Sequence, residues 1–499
     1  MTGLVMYRIA KDVAAVLLFV GLVGTGALAR ADNKKTTSPP PKPAPAARPA
    51  PAARPAQPTK PGDAQGAAQP RGAGSGPTIN NPKGVRPTVV VPPSAVRPPV
   101  RSGVMPVARG NVPHVASNGV NYQTRPGGRV SDLHDPKSGL SVHHGLNGGH
   151  TVMVERPNHE RVLYQRGRPG YVQHAYSYRG HDFARRTYFY HGHMYSRSYY
   201  GYPYRGMYMN VYAPGVYYSP GFYGWAYNPW GPPITFGWGF AGSPWYGYYG
   251  AYFTPSPFYP SASAWLADYM ISADLQQAYA AHAEAGEADG GGAPGDSAAL
   301  TPDVKQQIAD EVRGQLALEN QEATQNAQNQ DSNPGSSSID RDLDDAAHGK
   351  QHVFVVGAAL DVVDANQAEC SLSDGDVLSL QAAPSADAKA ADLVVLASKG
   401  GQECQKAATV SVALDDLQEM QNHMRETIDQ GLQDLQAKQG KGGLPAAPST
   451  VPLQTAPAQY EAIAPPPDPN AATEIQQQAQ QGDQAEQAAT AQTGPSGAQ

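Results

Sequence analysis

The stretch Tyr223-Gly224-Trp225-Ala226-Tyr227-Asn228-Pro229-Trp230 lies within an uncharged aromatic segment, residues 206–267, that organises the rest of the chain. A membrane-spanning helix needs about twenty mainly apolar residues in one run, and prolines interrupt every such window here. The segment favours a compact aromatic core under short strands, or else an exposed aromatic face for a polymer or a membrane interface. It contains every tryptophan of the chain: Trp225, Trp230, Trp238, Trp245 and Trp265.

The chain begins with a targeting segment. Arg8 and Lys11 precede an apolar run and a small-x-small cleavage site, which is typical of a secretory signal peptide over residues 1–31. An uncleaved anchor is the alternative, and it would be the one route to a membrane. Residues 32–113 are rich in Pro and Ala and basic, so we predict a disordered linker with some attraction to an anionic envelope polymer.

The sequence of residues 114–285 predicts an aromatic-rich β domain that ends in a helix. Turn signals such as Asn147-Gly148 and Arg179-Gly180 separate short β-rich runs, which indicates an antiparallel meander. The helical spacing of Trp265, Leu266 and Tyr269 predicts the closing helix.

Histidines and methionines in this domain raise a metal hypothesis. His191 and His193 are two residues apart, which on a strand places both side chains on one face. Met207 and Met209 are close in sequence, and imidazole with thioether suits copper. The alternative is that the histidines decorate a solvent-exposed sheet face. Basic charge beside aromatics also suits nucleic acid, but an exported chain argues against that partner.

The second half of the chain predicts a separate module between linkers. A small α+β module, with five strands and a helix, is expected at 352–440. The flanking segments are a Gly-rich linker at 286–300, an amphipathic helix at 301–323, a polar linker at 324–351 and a disordered Pro/Ala/Gln-rich tail at 441–499.

The chain has two cysteines, Cys370 and Cys404, both in that module. In an exported chain such a pair predicts a disulfide. A redox-active pair is the alternative, but the Cys-x-x-Cys arrangement is missing.

The net charge of −6 conceals two oppositely charged parts. Residues 1–267 carry 27 basic and 8 acidic side chains, whereas residues 268–499 carry 10 and 35. The two parts could attract one another or bind different partners.

Two runs carry a resemblance to a known group of proteins. One leads from Gly167-Arg168-Pro169-Gly170-Tyr171-Val172-Gln173 to the aromatic stretch 223–230, and the other joins Glu369-Cys370-Ser371-Leu372 to residues 414–423. They resemble uncharacterised exported proteins of soil bacteria, particularly acidobacterial ones. The resemblance covers most of residues 120–440 and implies no activity.

The predicted fold class is mostly β plus α+β: a Tyr/Trp/Gly-rich antiparallel meander, a separate disulfide-linked module and long disordered segments. Nucleophile-elbow, zinc-protease, phosphate-loop and dinucleotide motifs are all missing from the sequence, so we expect no enzyme and no cofactor. We expect an exported protein of the periplasm, the outer envelope or the medium, with a structural or interaction role. Its aromatic surface (Trp225, Trp230, Trp238, Trp245) would bind a neutral polysaccharide, another protein or a second copy. A copper-type periplasmic metal-binding protein and an unrecognised hydrolase are the alternatives.

Overall fold

A computed structural model describes residues 107–284, 299–330, 334–401 and 403–491. The predicted signal peptide, most of the basic linker and most of the Gly-rich linker lie outside the described residues.

The predicted antiparallel meander is confirmed. Within the described residues it has ten strands, and each pairs with its neighbours in chain order. Gly148 and Gly180 occupy its turns with φ of 79° and 83°, a region that favours glycine. The strands are β1 (Val112–Val115), β2 (Asn121–Thr124), β3 (Val130–Asp135), β4 (Leu140–His144), β5 (His150–Glu155), β6 (Arg161–Gln165), β7 (Gly170–Tyr178), β8 (His181–Tyr190), β9 (His193–Tyr204) and β10 (Met207–Ala213).

The aromatic segment does not continue this meander. Pro220 and Pro244 instead open two short helices, because proline's fixed φ and missing N–H suit a first helical turn. Ser219 caps the first of them, its Oγ accepting from the Phe222 amide at 3.2 Å. The elements are β11 (Val216–Tyr217), α1 (Pro220–Tyr227), β12 (Pro229–Ile234), α2 (Pro244–Tyr249), β13 (Tyr259–Ser261) and the expected long helix α3 (Ala262–Glu284).

The predicted amphipathic helix is longer than its pattern suggested. It is α4 (Pro302–Ala327), with Thr301 as N-cap. The segment predicted to be a polar linker, 324–351, contains a further helix, α5 (Ile339–Ala347). Ile339 and Leu343 are buried in the core of the α+β region, and that burial stabilises a helix of otherwise polar composition.

The α+β region contains the five predicted strands and one more. Within the described residues its antiparallel sheet has six strands in the order β14-β17-β18-β19-β15-β16, and α6 (Leu414–Lys438) follows directly. The strands are β14 (His352–Val355), β15 (Leu360–Asp364), β16 (Glu369–Leu372), β17 (Val377–Leu380), β18 (Ala390–Ala397) and β19 (Thr409–Ala413).

The predicted disulfide is present. Cys370 and Cys404 are joined with their Cα atoms 5.0 Å apart. The bond closes a loop of 34 residues in sequence separation, and a loop of this length stabilises the fold by roughly 3–4 kcal/mol in the chain-entropy model. A disulfide is compatible with an exported protein.

The α+β region is not a separate module, contrary to the prediction. Its helix α6 supplies Met424 and Ile428 to the core that also contains Trp265 of the aromatic segment. Met207 and Met209 of β10 in turn enter the core beneath the six-stranded sheet. Side chains that periodicity assigns to one element thus find their apolar partners in another.

The tail is also folded, so the prediction of a disordered segment over 441–499 is wrong for its described part. Residues Ala456–Pro457 form β20, which pairs with β11, and Ala471–Ala491 form a helix, α7. Helix α7 lies across β4 to β8. Ala471 and Ile475 pack on Val162 and Val172, and Ala489 packs nearer β4 and β5. The meander has an apolar face that this helix covers.

Charged contacts add pH dependence to the docking of this tail. His174 Nε2 lies 2.7 Å from Asp468 Oδ2, and its Nδ1 lies 3.5 Å from Glu160. Burial lowers the pKa of His174, but the two carboxylates outweigh burial and raise it overall. Burial likewise raises the pKa of Asp468, but the hydrogen bonds from His174 and the Asn470 amide, with the charge of His174, together outweigh burial and lower it.

We therefore expect tail docking to be strongest between about pH 4 and 6.5. The raised pKa of His174 adds stability that is fully present below the unfolded pKa of ~6.5 and is lost as the pH rises. The lowered pKa of Asp468 adds stability that is present above the unfolded pKa of ~3.9 and is lost as the pH falls. His150 also faces the tail: burial and His144 lower its pKa, whereas Asp483 and Glu486 of α7 raise it. The protection factors of residues 465–475, that is, their hydrogen-exchange rates corrected for the intrinsic rate at each pH, should be higher at pH 5.5 than at pH 8.5. His174→Gln should abolish this difference, and a difference that survives this change would contradict the assignment.

Candidate functional site: a charged cavity between the meander and helix α6

The tryptophans predicted to form a binding surface are mainly core residues. Trp230 and Trp245 are buried, as is Trp265, in one aromatic cluster. Trp225 and Trp238 are only partly buried, but Trp225 stacks on Trp230 at 5.8 Å and Trp238 stacks on Trp265 at 5.2 Å. A groove of about 420 Å³ runs beside Trp238. The four residues do not share one exposed face.

The four residues of the copper hypothesis are not brought together. His193 opens β9 opposite Tyr190, whereas Met207 pairs with Tyr204 at the far end of that strand. The two ends of β9 are eleven residues apart in sequence, which corresponds to roughly 36 Å along an extended strand. Met207 and Met209 are buried, while His191 is exposed and its Nε2 meets Glu284 at 2.6 Å. The predicted copper site is therefore wrong.

A cavity of about 390 Å³ lies between the meander and α6. Its sheet wall is the face opposite α7: alternating residues of β4 to β9 line the cavity, whereas α7 packs on the intervening Val162 and Val172. The other wall comes from α6, with contributions from α3 and from residues 357–360. Tyr195 and Gln430 lie at its mouth, because both line the cavity and are exposed.

The cavity is rich in charged groups, and its cations are paired. Arg186 is buried and forms two hydrogen bonds with Glu419, of 2.9 and 2.7 Å. Glu419 keeps 44% of its side chain exposed. Arg161 meets Glu155 at 3.0 Å, and ion pairs also join Arg197 to Glu426 and Arg168 to Asp374. These pairs present fixed donors and acceptors side by side.

Tyrosines supply an apolar surface among these charges. Tyr195 stacks on Tyr188 with ring centroids 5.0 Å apart and an interplanar angle of 7°. Tyr171 lies against the Arg186 guanidinium at 4.5 Å, a cation–π contact. Since Tyr195 is 38% exposed, part of its ring is available at the mouth. Burial raises the pKa of Tyr188 well above its usual value, so its hydroxyl stays neutral.

A histidine and an aspartate lie together in the cavity lining. His423 Nε2 is 2.7 Å from Asp274 Oδ1, and its ring lies so close to Gly357 that any side chain there would clash. Burial raises the pKa of Asp274. Burial lowers the pKa of His423, but the charge and hydrogen bond of Asp274, together with the charge of Asp374, outweigh burial and raise it overall. Both shifts favour a proton on the pair. Groups with perturbed pKa values in a cleft mark functional-site candidates.

Sequence reasoning missed this site because its residues are scattered over the chain. The predicted α6 stripe covers its apolar side, whereas Glu419, His423 and Glu426 lie on another face with spacings of four and three residues. That spacing was a usable signal for one polar helix face. The arginines opposite it come from strands far away in sequence.

Comparison of the chain with protein-family models, with curated proteins and with solved structures finds no match. The resemblance to exported acidobacterial proteins stays a prediction. Among the helices that the structure describes, none combines the length and apolarity required to cross a membrane.

Proposed function

We propose that this is an exported, non-enzymatic envelope or secreted protein that binds a neutral saccharide in the charged cavity. The observation that carries the proposal is that each lining arginine is paired with a carboxylate, in a cavity whose mouth exposes the Tyr195 ring. Planar charged pairs offer donors and acceptors at fixed positions, which matches an array of hydroxyl groups. An aromatic ring offers the apolar surface that a sugar face requires.

The charge balance supports a neutral ligand over an anionic one. Arg186 and Arg197 are already bonded to Glu419 and Glu426, so an incoming phosphate or carboxylate would have to displace them. Asp415 and Asp416 also line the cavity and add negative charge. The volume of about 390 Å³ is in the range of small-ligand pockets. Self-association through the tryptophans has less support, because most of them are buried.

The test is titration of the full mature chain with neutral oligosaccharides, namely cello-, xylo- and chito-hexaose, followed by calorimetry and saturation-transfer NMR. Oligogalacturonate serves as the charged comparison. We expect one of the neutral sugars to bind and Tyr195→Ala to weaken it by roughly 2- to 10-fold, as expected for loss of ~0.5–1.5 kcal/mol of aromatic contact. Tyr195→Phe keeps the ring and should retain binding.

Tyr227→Ala is the matched control, because Tyr227 is 40% exposed and lies outside the cavity. Its substitution should leave the affinity unchanged. Absence of binding by all three neutral sugars, or binding that Tyr195→Ala does not alter, would overturn the proposal. Loss of binding in Trp238→Ala but not in Tyr195→Ala would place the site in the tryptophan groove instead.

A further inference from the structure

Two helices and one strand meet at a second cluster of titratable side chains, away from the charged cavity. It consists of Glu311 on α4, Asp342 on α5 and His352 on β14, and each offers a ligand atom within 4.8 Å of the others. His352 and Asp342 are 1% exposed, and Glu311 is 11% exposed. The cluster joins α4, which precedes most of the polar segment 324–351, and α5, which lies within it, to the first strand of the six-stranded sheet.

The separations suit coordination of one ion. His352 Nδ1 lies 3.1 Å from Glu311 Oε2 and 3.6 Å from Asp342 Oδ2. Ligands at 2.0–2.1 Å from a tetrahedral ion lie about 3.3 Å from one another. The two measured distances bracket that value, and three ligands from the protein leave a position for water.

The outer contacts also follow the pattern of metal ligands. A histidine that binds a metal usually presents its other nitrogen to a carboxylate. Carboxylates that bind a metal usually accept hydrogen bonds from neighbouring groups. His352 Nε2 faces Asp345 Oδ2 at 3.3 Å, and Lys350 holds that carboxylate at 2.6 Å. Arg341 holds Asp342 Oδ1 at 2.8 Å.

One buried polar atom near the cluster points to a missing partner. Among the described residues, Gln421 Oε1 has no hydrogen bond, although the side chain is buried. The Gln421 amide is aimed at the cluster, since its nitrogen contacts Asp342 Oδ2. A buried amide oxygen without a partner costs about 1–3 kcal/mol, whereas turning it toward a cation would satisfy it.

We propose that Glu311, Asp342 and His352 bind one divalent cation of the Zn²⁺ or Mn²⁺ class, which ties α4 and α5 to β14. One imidazole nitrogen with two carboxylate oxygens suits these ions, and the absence of sulfur from this donor set disfavours Cu(I). Arg341 and Lys350 each offset one of the three nearby carboxylates, so one negative charge remains to attract the ion. This site is independent of the saccharide proposal.

The experiment uses the full mature chain, stripped with EDTA and titrated at pH 7.5 with ZnCl₂ by calorimetry and with MnCl₂ by electron paramagnetic resonance. We expect saturable binding of one ion and a rise in Tm with metal concentration, because a ligand of the folded state stabilises it. Glu311→Gln keeps the side-chain volume and should weaken binding at least 10-fold. Asp345→Asn, which changes the outer contact, should weaken it roughly 10- to 100-fold.

His348→Ala is the matched control: His348 follows the same helix, is 76% exposed and lies outside the cluster. The His348→Ala variant should bind the metal ion with the same affinity as the unchanged protein. Two results would overturn the proposal. One is the absence of saturable binding, with ¹⁵N shifts showing His352 as an imidazolium cation. The other is binding that Glu311→Gln and His352→Gln both leave intact, which would assign the ion to other histidines.

Discussion

Replacement of Arg425 by Met is expected to lower the free energy of unfolding by about 3–5 kcal/mol, the range for removing one partner of a buried ion pair. Arg425 is fully buried in α6. Its Nη2 lies 3.1 Å from Glu322 Oε2, and its Nε lies 3.5 Å from Glu319 Oε1. Its Nη1 also donates to the carbonyl of Tyr212 at 2.7 Å.

The large effect follows from what the substitution leaves behind. Glu319 and Glu322 are 0% and 2% exposed, so neither can turn to solvent. Burial already raises the pKa of Glu319 well above its usual value, and the nearby Asp429 raises it further. Without the guanidinium, these carboxylates must take up protons or remain as uncompensated buried charges. The same change removes a side chain of α6 that contacts both β10 and α4.

Urea unfolding at pH 7 measures this effect. Arg313→Met is the matched control on α4, because Arg313 is 38% exposed and its pair with Asp310 is a surface contact; its effect should stay within about 0.5 kcal/mol. Adding Glu319→Gln and Glu322→Gln to Arg425→Met should recover part of the loss. A loss below ~1 kcal/mol for Arg425→Met alone would contradict the assigned role.

Gly482→Leu is expected to release helix α7 from the meander. A Cβ at Gly482 would lie 2.6 Å from a methyl carbon of Val152, a distance that real contacts do not adopt. Val152 is itself fully buried in the middle of the sheet, so it cannot give way. Overpacking of this kind costs about 1–3 kcal/mol. It outweighs the ~1 kcal/mol of helix propensity that replacing glycine would add.

The measurement is limited proteolysis and hydrogen exchange over residues 441–491, with thermal unfolding beside it. In Gly482→Leu the tail should be cleaved first and exchange fastest, and the exposed valines of β5 to β7 should promote aggregation. Ala488→Leu is the control, because Ala488 is exposed on the same helix. A tail that stays protected in Gly482→Leu would show that α7 docks in another way.

Periodicity predicted the elements whose own residues provide their apolar face. The β-rich runs and turn signals predict the strands of the meander from local sequence alone. The apolar stripe from Leu414 to Leu435 predicts α6 in the same way. Helix α5 was missed because its buried apolar residues are only Ile339, Leu343 and Ala346, among acidic neighbours. Three apolar residues in a polar stretch are a weak signal.

Helix α7 was missed for a different reason. Apart from Ile475, its buried positions are small or polar: Ala471, Gln478, Gly482 and Ala489. Such residues bring little apolar area of their own, so composition alone argues for disorder. The apolar area is supplied by the sheet, and small side chains allow the helix to approach it closely.

The sequence by itself determined the strands of the meander, the α+β elements, α3 and the disulfide between Cys370 and Cys404, because these follow from local periodicity, turn chemistry and cysteine count. Only the tertiary structure decided that the tail folds, that the tryptophans turn inward, and that Arg186 meets Glu419 and His352 meets Glu311. The physical reason is that burial and charge pairing depend on partners more than 40 residues away in the chain. No local pattern encodes which distant side chain a buried group will meet.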